Sequence, residues 1–183
     1  MERLDVDSHL IALPAAEMEA EVLAEFVARN RAHLAPFLPA VAAIDSPEAA
    51  RAHLATTAER VARGELWEWH LFAGGVLCGG VRLNFVEPHN RKASIAYYLD
   101  AGHQGRGLAS AAVRAVLAYA FSRLEMHRIE LRCAVGNVAS RRLAERLGFV
   151  REGELRDAEQ LDGGFVNHYV YSLLASERPA CTT

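Results

Sequence analysis

A glycine-rich segment between a predicted strand and a predicted helix has residue types suited to binding phosphate. Residues 102–109 read GHQGRGLA, after the apolar run 95–99 and before a helical pattern. Closely spaced glycines let backbone N–H groups turn toward one point, and the first turn of a helix adds unpaired N–H donors. The segment lacks the G-x-G-x-x-G pattern of a Rossmann loop and the G-K-S/T of a P-loop. On its own it predicts either a pyrophosphate cradle or an ordinary turn.

A second candidate site lies at the next junction between a strand and a helix. Asn137 follows the predicted strand 129–135, and Ser140 lies one turn into the helix that stops at Gly148. An asparagine at such a junction caps the helix, which contributes about 1 kcal/mol. A serine at the third helical position is commonplace. These two residues therefore predict a helix start, and chemistry at this point needs a further argument.

Together these segments resemble the GNAT superfamily of acetyltransferases. Gln104, Gly107 and Ala109 match its Q/R-x-x-G-x-G/A signature, and residues 129–149 match its block of strand, N-x-x-S, helix and L-G-F. The stretch NFVEPHNRK at 84–92 is similar to N-x-I-E-P-x-N-K of the RimJ/RimL-like ribosomal-protein N-acetyltransferases. The resemblance is strong over about residues 66–174 and weak before them.

The resemblance implies that acetyl-CoA is the cosubstrate and that the glycine-rich segment holds its pyrophosphate. In relatives the asparagine binds the pantetheine arm and the serine faces the sulfur, so Ser140 is expected to stabilise the departing thiolate. The backbone N–H of Leu99 or a neighbour is the expected oxyanion donor. Arg106 is equally compatible with a solvated surface position. The expected cofactor contacts are Tyr98, Leu99, Gln104, Gly105, Arg106, Gly107, Leu108, Ala109, Ser110, Asn137 and Ser140.

An acceptor amine must lose a proton before it attacks a thioester. The pKa of an α-amino group is near 8 and that of a lysine side chain near 10.4, so an N-terminal acceptor needs only a mild base. Glu87, in the stretch similar to the RimL-like proteins, is the first candidate base, although Glu87-Pro88 is also an ordinary polar turn. Glu68, between Trp67 and Trp69, is the second.

Hydrophobic periodicity predicts the elements that position these residues. The predicted strands are residues 8–13, 67–72, 76–85, 93–99, 129–135, 149–155 and 165–174. The predicted helices begin at Pro14, at the Ser46 cap, after Gly107 and at Val138. Their order predicts an α/β fold with a mixed, mostly antiparallel sheet of about seven strands and a central parallel pair, which the GNAT resemblance implies is splayed. The apolar, proline-interrupted segment 33–39 is expected to border the site.

Composition excludes several classes of partner. The 183 residues are 51% hydrophobic with a net charge of −3, so there is no positive field to attract nucleic acid or an anionic membrane. The three cysteines show no CxxC spacing, and no apolar run approaches the length of a membrane span. We expect a cytoplasmic protein without a metal, with one domain over residues 1–176 and a disordered tail at 177–183.

The sequence therefore predicts transfer of an acetyl group from acetyl-CoA to a primary amine, foremost the N-terminal α-amine of a protein. Two alternatives stay open: acetylation of a small amine such as an antibiotic or a polyamine, and a GNAT module that binds CoA without catalysis. The length of the acyl group and the oligomeric state are also open, although a homodimer is common in this branch.

Overall fold

The computed structural model describes residues 1–177, and an eight-stranded mixed sheet forms its centre. The strands lie in the order β1-β2-β3-β4-β5-β6-β8-β7, and every neighbouring pair is antiparallel except β5 and β6. The predicted mixed sheet with a central parallel pair is confirmed. Its extra strand is β1, whose two residues are too short for a sequence pattern. The strands are β1 Leu4–Asp5, β2 Leu10–Pro14, β3 Trp67–Ala73, β4 Val76–Glu87, β5 Lys92–Leu99, β6 Arg128–Ala134, β7 Val150–Leu161 and β8 Gly164–Leu174.

Five α-helices flank this sheet, and their starts follow local capping chemistry. The hydroxyl of Ser46 accepts a hydrogen bond from the N–H of Ala49 at 3.2 Å, as its predicted cap role requires. The first helix begins at Ala20 rather than at Pro14, because a 3-10 turn intervenes. The helices are α1 Ala20–Leu34, α2 Pro39–Ala42, α3 Pro47–Ala62, α4 Leu108–Ser122 and α5 Val138–Arg146.

The end of the described chain differs from the predicted disordered tail at one residue. Glu177 lies in a 3-10 turn, and its carboxylate accepts a hydrogen bond from the N–H of Leu174 at 2.9 Å. The remaining tail residues, 178–183, lie outside the described residues.

Hydrophobic cores cover both faces of the sheet. On one face α4 and α5 pack against the sheet through residues such as Val113 and Leu143. On the other face α1 and α3 form a smaller core that includes Phe26. Successive residues of a strand point to opposite faces, so Tyr97 packs against the first core and Tyr98 against the second. Strand β5 therefore presents side chains to both helical layers.

The parallel pair is short, and this shortness opens the sheet. Strands β5 and β6 pair through only three positions, the last of which joins Ser94 to Glu130. Beyond it, residues 95–99 and 131–134 line a common cavity instead of continuing the ladder. The sheet is thus split between its two central strands.

Strand β4 supports the free half of β5 through two glycines. A Cβ atom on Gly79 would overlap the backbone carbonyl oxygen of Tyr98, and one on Gly80 would lie 2.7 Å from the ring carbon Cζ of Tyr98. Both glycines pair with β5 in the sheet, so the absence of a side chain lets the two strands approach.

We predict that Gly79→Ala lowers the free energy of unfolding by about 1–3 kcal/mol, because the new methyl group must displace backbone atoms. Gly153→Ala is the matched control, since a Cβ atom there meets nothing within 4 Å. It should change stability by less than about 0.5 kcal/mol. Urea denaturation of both variants checks this, and equal stabilities would contradict the close approach of β4 and β5.

Candidate active site

The opening between β5 and β6 is the mouth of a cavity of about 970 Å³. Its walls come from the separated halves of the two strands, the glycine-rich segment, and the first turns of α4 and α5. The connection between α1 and α2 and two residues of the β7–β8 hairpin complete it. This volume is in the range of cavities that hold a small ligand or cofactor.

The cavity passes through the plane of the sheet. Tyr97 and Tyr98 both line it, although they belong to cores on opposite faces. Asn137 and Ser140 line it at the start of α5, on the face that α4 and α5 cover. The segment 33–38 lines it on the face of α1 and α3. The cavity is therefore lined from both faces of the sheet.

The glycine-rich segment has the backbone conformation that only glycine adopts easily. Gly105 and Gly107 have φ values of 74° and 79°, and Gly107 is the residue that precedes the first turn of α4. The turn before it is held by Asp100, whose carboxylate accepts a hydrogen bond from the N–H of His103 at 2.8 Å. The unpaired N–H groups at the start of α4 adjoin the cavity, which suits an anion.

The structure brings the predicted cofactor contacts to one cavity, with one exception. Arg106 has an exposed side chain and does not line the cavity. The side-chain amide nitrogen of Gln104 lies 2.8 Å from Nε2 of His33, which links the glycine-rich segment to the end of α1. The residues of the predicted set that line the cavity are Tyr98, Leu99, Gln104, Gly105, Gly107, Leu108, Ala109, Ser110, Asn137 and Ser140.

Arg146 is a cationic residue of the site that sequence reasoning missed. It lies at the end of α5, lines the cavity, and donates a hydrogen bond of 2.8 Å to the hydroxyl of Ser110 at the start of α4. The glycine-rich motif gives no indication of a contact with Arg146, which lies 36 positions after Ser110. The guanidinium adds positive charge beside the N–H groups that face the cavity.

The first turn of α5 fixes the backbone of Ser140. The side-chain oxygen of Asn137 accepts a hydrogen bond from the N–H of Ser140 at 3.1 Å, which confirms the predicted cap. The hydroxyl of Ser140 lies 2.9 Å from the hydroxyl of Tyr97, and the half of β6 that contains Cys133 lines the same part of the cavity. The serine is thus held at the split between the strands.

The position of Glu87 does not support its predicted role as a base. Its exposed carboxylate accepts a hydrogen bond from Asn90 at 2.8 Å and pairs with Lys92 at 3.0 Å. These two partners lower the pKa of the carboxyl group, with the hydrogen bond from Asn90 as the larger cause. Glu87 pairs with the beginning of β5, whereas the cavity begins only at Ile95. The stretch that is similar to the RimL-like proteins therefore forms the turn between β4 and β5 and does not reach the cavity.

Glu68 is also unsuited to act as a base. Its side chain is buried, does not line the cavity, and pairs with Arg82 at 2.6 Å. Burial alone would raise the pKa of Glu68, but a hydrogen bond from His53 and the charge of Arg82 bring the pKa to about 2. A carboxylate held ionised in this way has little tendency to take a proton. Its role is to complete a buried ionic cluster under α3.

A carboxylate and a histidine from the last hairpin enter the cavity instead. Nε2 of His168 lies 3.1 Å from a carboxylate oxygen of Glu159, and both residues line the cavity. The two groups are at ion-pair distance without the alignment of a hydrogen bond. In the sheet His168 pairs with Ala134, so the two side chains lie on the same face. Ala134 follows Cys133 along β6, and successive side chains point to opposite faces. His168 therefore lies on the face opposite α5. Sequence reasoning missed both residues, because only the insertion of β8 beside β6 brings them here.

Residues 1–177 contain no group of three or more histidine, cysteine, aspartate or glutamate side chains placed to hold a metal ion. In the same part of the chain, no helix is both long and apolar enough to cross a membrane.

Comparison with known proteins identifies the family to which this site belongs. A family model described as an acetyltransferase (GNAT) domain matches residues 9–150. The chain is 34% identical to the putative ribosomal N-acetyltransferase YdaF of Bacillus subtilis strain 168, with 94% of each chain covered. It is 29% identical to the ribosomal-protein-serine acetyltransferase of Escherichia coli strain K12, over 93% of this chain and 96% of that protein.

A solved structure extends the likeness to the whole fold. RimL, a ribosomal L7/L12 α-N-protein acetyltransferase in complex with coenzyme A, superposes with a TM-score of 0.90 at 29% identity. The match covers 94% of this chain and 98% of that one, and coenzyme A forms a disulfide with a cysteine of that protein. These matches confirm the resemblance seen in the sequence and favour an enzyme over a non-catalytic CoA-binding module. The chain belongs to the GNAT superfamily and is an acetyl-CoA-dependent N-acetyltransferase of its RimL-like branch.

Proposed function

We propose that this enzyme acetylates the N-terminal α-amine of a polypeptide, by direct attack of the amine on acetyl-CoA in a ternary complex. One observation carries the proposal: the cavity passes through the sheet, and the one carboxylate among its described lining residues is Glu159. The face of α4 and α5 then takes the cosubstrate, and the opposite face takes the acceptor. The RimL-like relatives support the same class of acceptor.

On the cosubstrate face, the start of α4 provides several N–H donors to the pyrophosphate of acetyl-CoA. Each such contact is worth only about 0.3–1 kcal/mol at an exposed site, so binding needs several donors together. Arg146 adds a charge-assisted contact beside them. The free edge of β5 beyond Ser94 has backbone groups available for the pantetheine arm and for the oxyanion, with Leu99 or a neighbour as the expected donor.

On the acceptor face, we assign the role of base to Glu159. The exposed fraction of its side chain is 40%, so it is open to an incoming ammonium group, whereas His168 beside it is 15% exposed. The carboxylate accepts a hydrogen bond from the ammonium and takes its proton, directly or through water. His168 limits the motion of the carboxylate. An α-amine, with a pKa near 8, needs no stronger base than this.

The chemical step then requires little more from the protein. The amine nitrogen bonds to the thioester carbon and loses its second proton to solvent, the carbon–sulfur bond breaks, and its electron pair goes to sulfur. We assign Ser140 the role of donating a hydrogen bond to this thiolate, as the sequence predicted. A thiol has an ordinary pKa near 8.5, so one donor is sufficient help at neutral pH.

The charges of the cavity distinguish between classes of amine. Apart from Glu159, the ionisable lining residues are basic side chains, the phenols of two tyrosines and the thiol of Cys133, and the basic ones are His33, His103, Arg132, Arg146 and His168. A polyamine carries several positive charges and would need several carboxylates. The acidic residues of α1 do not supply them, because none lines the cavity and Glu21 is paired with Arg51. A single carboxylate fits a single ammonium group.

The acceptor class is tested by release of free CoA thiol from acetyl-CoA. Peptides with N-terminal serine, alanine or methionine are compared with spermidine, with an aminoglycoside, and with the same peptides formylated at the N-terminus but retaining an internal lysine. We predict release, and one acetyl group on the α-amine by mass spectrometry, with the free peptides alone. Release with the polyamine alone, or equal release with formylated peptides, would contradict the proposal.

We predict that Glu159→Gln lowers kcat/KM for a peptide acceptor about 100-fold at pH 7, because the base is lost. The deficit should shrink as the pH rises above about 8, where the α-amine loses its proton without help. Glu87→Gln is the comparison variant, since that carboxylate lies outside the cavity, and it should retain its activity. A pH-independent deficit in Glu159→Gln, or a larger deficit in Glu87→Gln, would sink the assignment.

We predict that Arg146→Gln weakens acetyl-CoA binding about tenfold, because a charge-assisted contact to phosphate is lost. Turnover of S-acetylpantetheine, which has no pyrophosphate, should not change. Arg142→Gln, one turn earlier on α5 and outside the cavity, is the control. Calorimetric titration with acetyl-CoA gives the affinities, and an unchanged affinity in Arg146→Gln would remove this residue from the site.

A further inference from the structure

Tyr97 joins the two sides of the split sheet through its hydroxyl group. The residue lies on the free half of β5, packs against the core of α4 and α5, and lines the cavity. Its hydroxyl lies 2.9 Å from the hydroxyl of Ser140 on α5, a residue 43 positions later. The hydrogen bond therefore crosses the opening into which the thioester must enter.

We propose that Tyr97 is a positioning residue for the reaction, which donates a hydrogen bond to the hydroxyl oxygen of Ser140 and so directs the proton of that serine toward the sulfur of CoA. The inference rests on the proposed role of Ser140 and extends it. Neither the glycine-rich motif nor the N-x-x-S motif includes Tyr97.

The geometry of Ser140 explains why a second residue is needed. Its backbone N–H is fixed by Asn137, but this contact leaves the side chain free to occupy three staggered rotamers. A hydroxyl has a single proton and two acceptor lone pairs. When Tyr97 donates to one lone pair, the proton of the serine is left for another acceptor, and the orientation of its oxygen is fixed.

The surroundings of Tyr97 keep it in the donor form. Burial raises the pKa of its phenol to about 12, with the hydrogen bond to Ser140 acting in the opposite direction. The phenol therefore retains its proton at neutral pH. As the carbon–sulfur bond breaks, Ser140 donates a hydrogen bond to the thiolate while both hydroxyl groups keep their protons. The thiolate takes a proton from solvent when it leaves.

The test is a double-mutant cycle of Tyr97→Phe and Ser140→Ala, read first on bound CoA. The absorbance of the thiolate in the ultraviolet, followed against pH, gives the pKa of the bound thiol without any acceptor. We predict that Tyr97→Phe raises this pKa by about one unit, the size expected for loss of a positioned hydrogen bond to a charged group. In the Ser140→Ala background the same change should have no further effect.

The second reading is kcat with a peptide acceptor whose N-terminal α-amine is free, which Tyr97→Phe should lower about tenfold in the wild-type background alone. Tyr119→Phe is the matched control, because that ring packs on Trp69 and lies outside the cavity. An effect of Tyr97→Phe that is equal in both backgrounds, or no effect on the thiol pKa, would overturn the inference.

The proposed acceptor class and the proposed role of Ser140 are tested separately by these two readings. A wrong acceptor class would abolish the kinetic reading but leave the CoA titration intact. If Ser140→Ala leaves the pKa of the bound thiol unchanged, the proposed role of Ser140 fails and the positioning role of Tyr97 fails with it.

Discussion

The site depends on the short pairing between β5 and β6. Two parallel strands that continued their ladder would satisfy their backbone groups with each other and close the sheet. Here the ladder stops after three positions, and the remaining backbone of β5 faces a cavity. The elements on both sides hold the gap open: β4 supports β5 through the close approach at Gly79, and β8 supports β6 along its whole length.

In the proposed function, the split lets one strand contact two substrates. Because side chains alternate along β5, Tyr97 faces the helices that carry Ser140, whereas Tyr98 packs against Phe26 on the opposite face, with ring centroids 6.0 Å apart. In the proposed reaction the thioester and the amine approach from opposite faces of β5 and meet at the split. Under this proposal Glu159, on the acceptor side, receives the amine proton.

The parts of the site that could be predicted from sequence are those that depend on neighbouring residues. The cap at Asn137 and the left-handed Gly107 follow from local chemistry, and the order of strands and helices follows from periodicity. Arg146 and His168 could not be predicted in this way, because each reaches the cavity through contacts between distant segments. No local pattern indicates that β8 lies between β6 and β7.

The structure places the two candidate bases from the sequence outside the cavity, for different physical reasons. Because side chains alternate along β3, Glu68 lies on the face opposite Trp69, but the alternation does not reveal that Arg82 and α3 bury the carboxylate there. The likeness around Glu87 concerns a turn at the paired end of β5, whereas the chemistry needs its unpaired end. In both cases the residue type was suitable and the position within the sheet was not.

The most direct test of this account is a crystal structure with a bisubstrate analogue, in which coenzyme A is joined through an acetyl bridge to the α-nitrogen of a short peptide. We predict that the pyrophosphate lies at the start of α4, that the sulfur lies within hydrogen-bonding distance of Ser140, and that the peptide leaves past Glu159 on the face of α1 and α3. A peptide that leaves on the same face as the nucleotide, or a sulfur remote from Ser140, would contradict it.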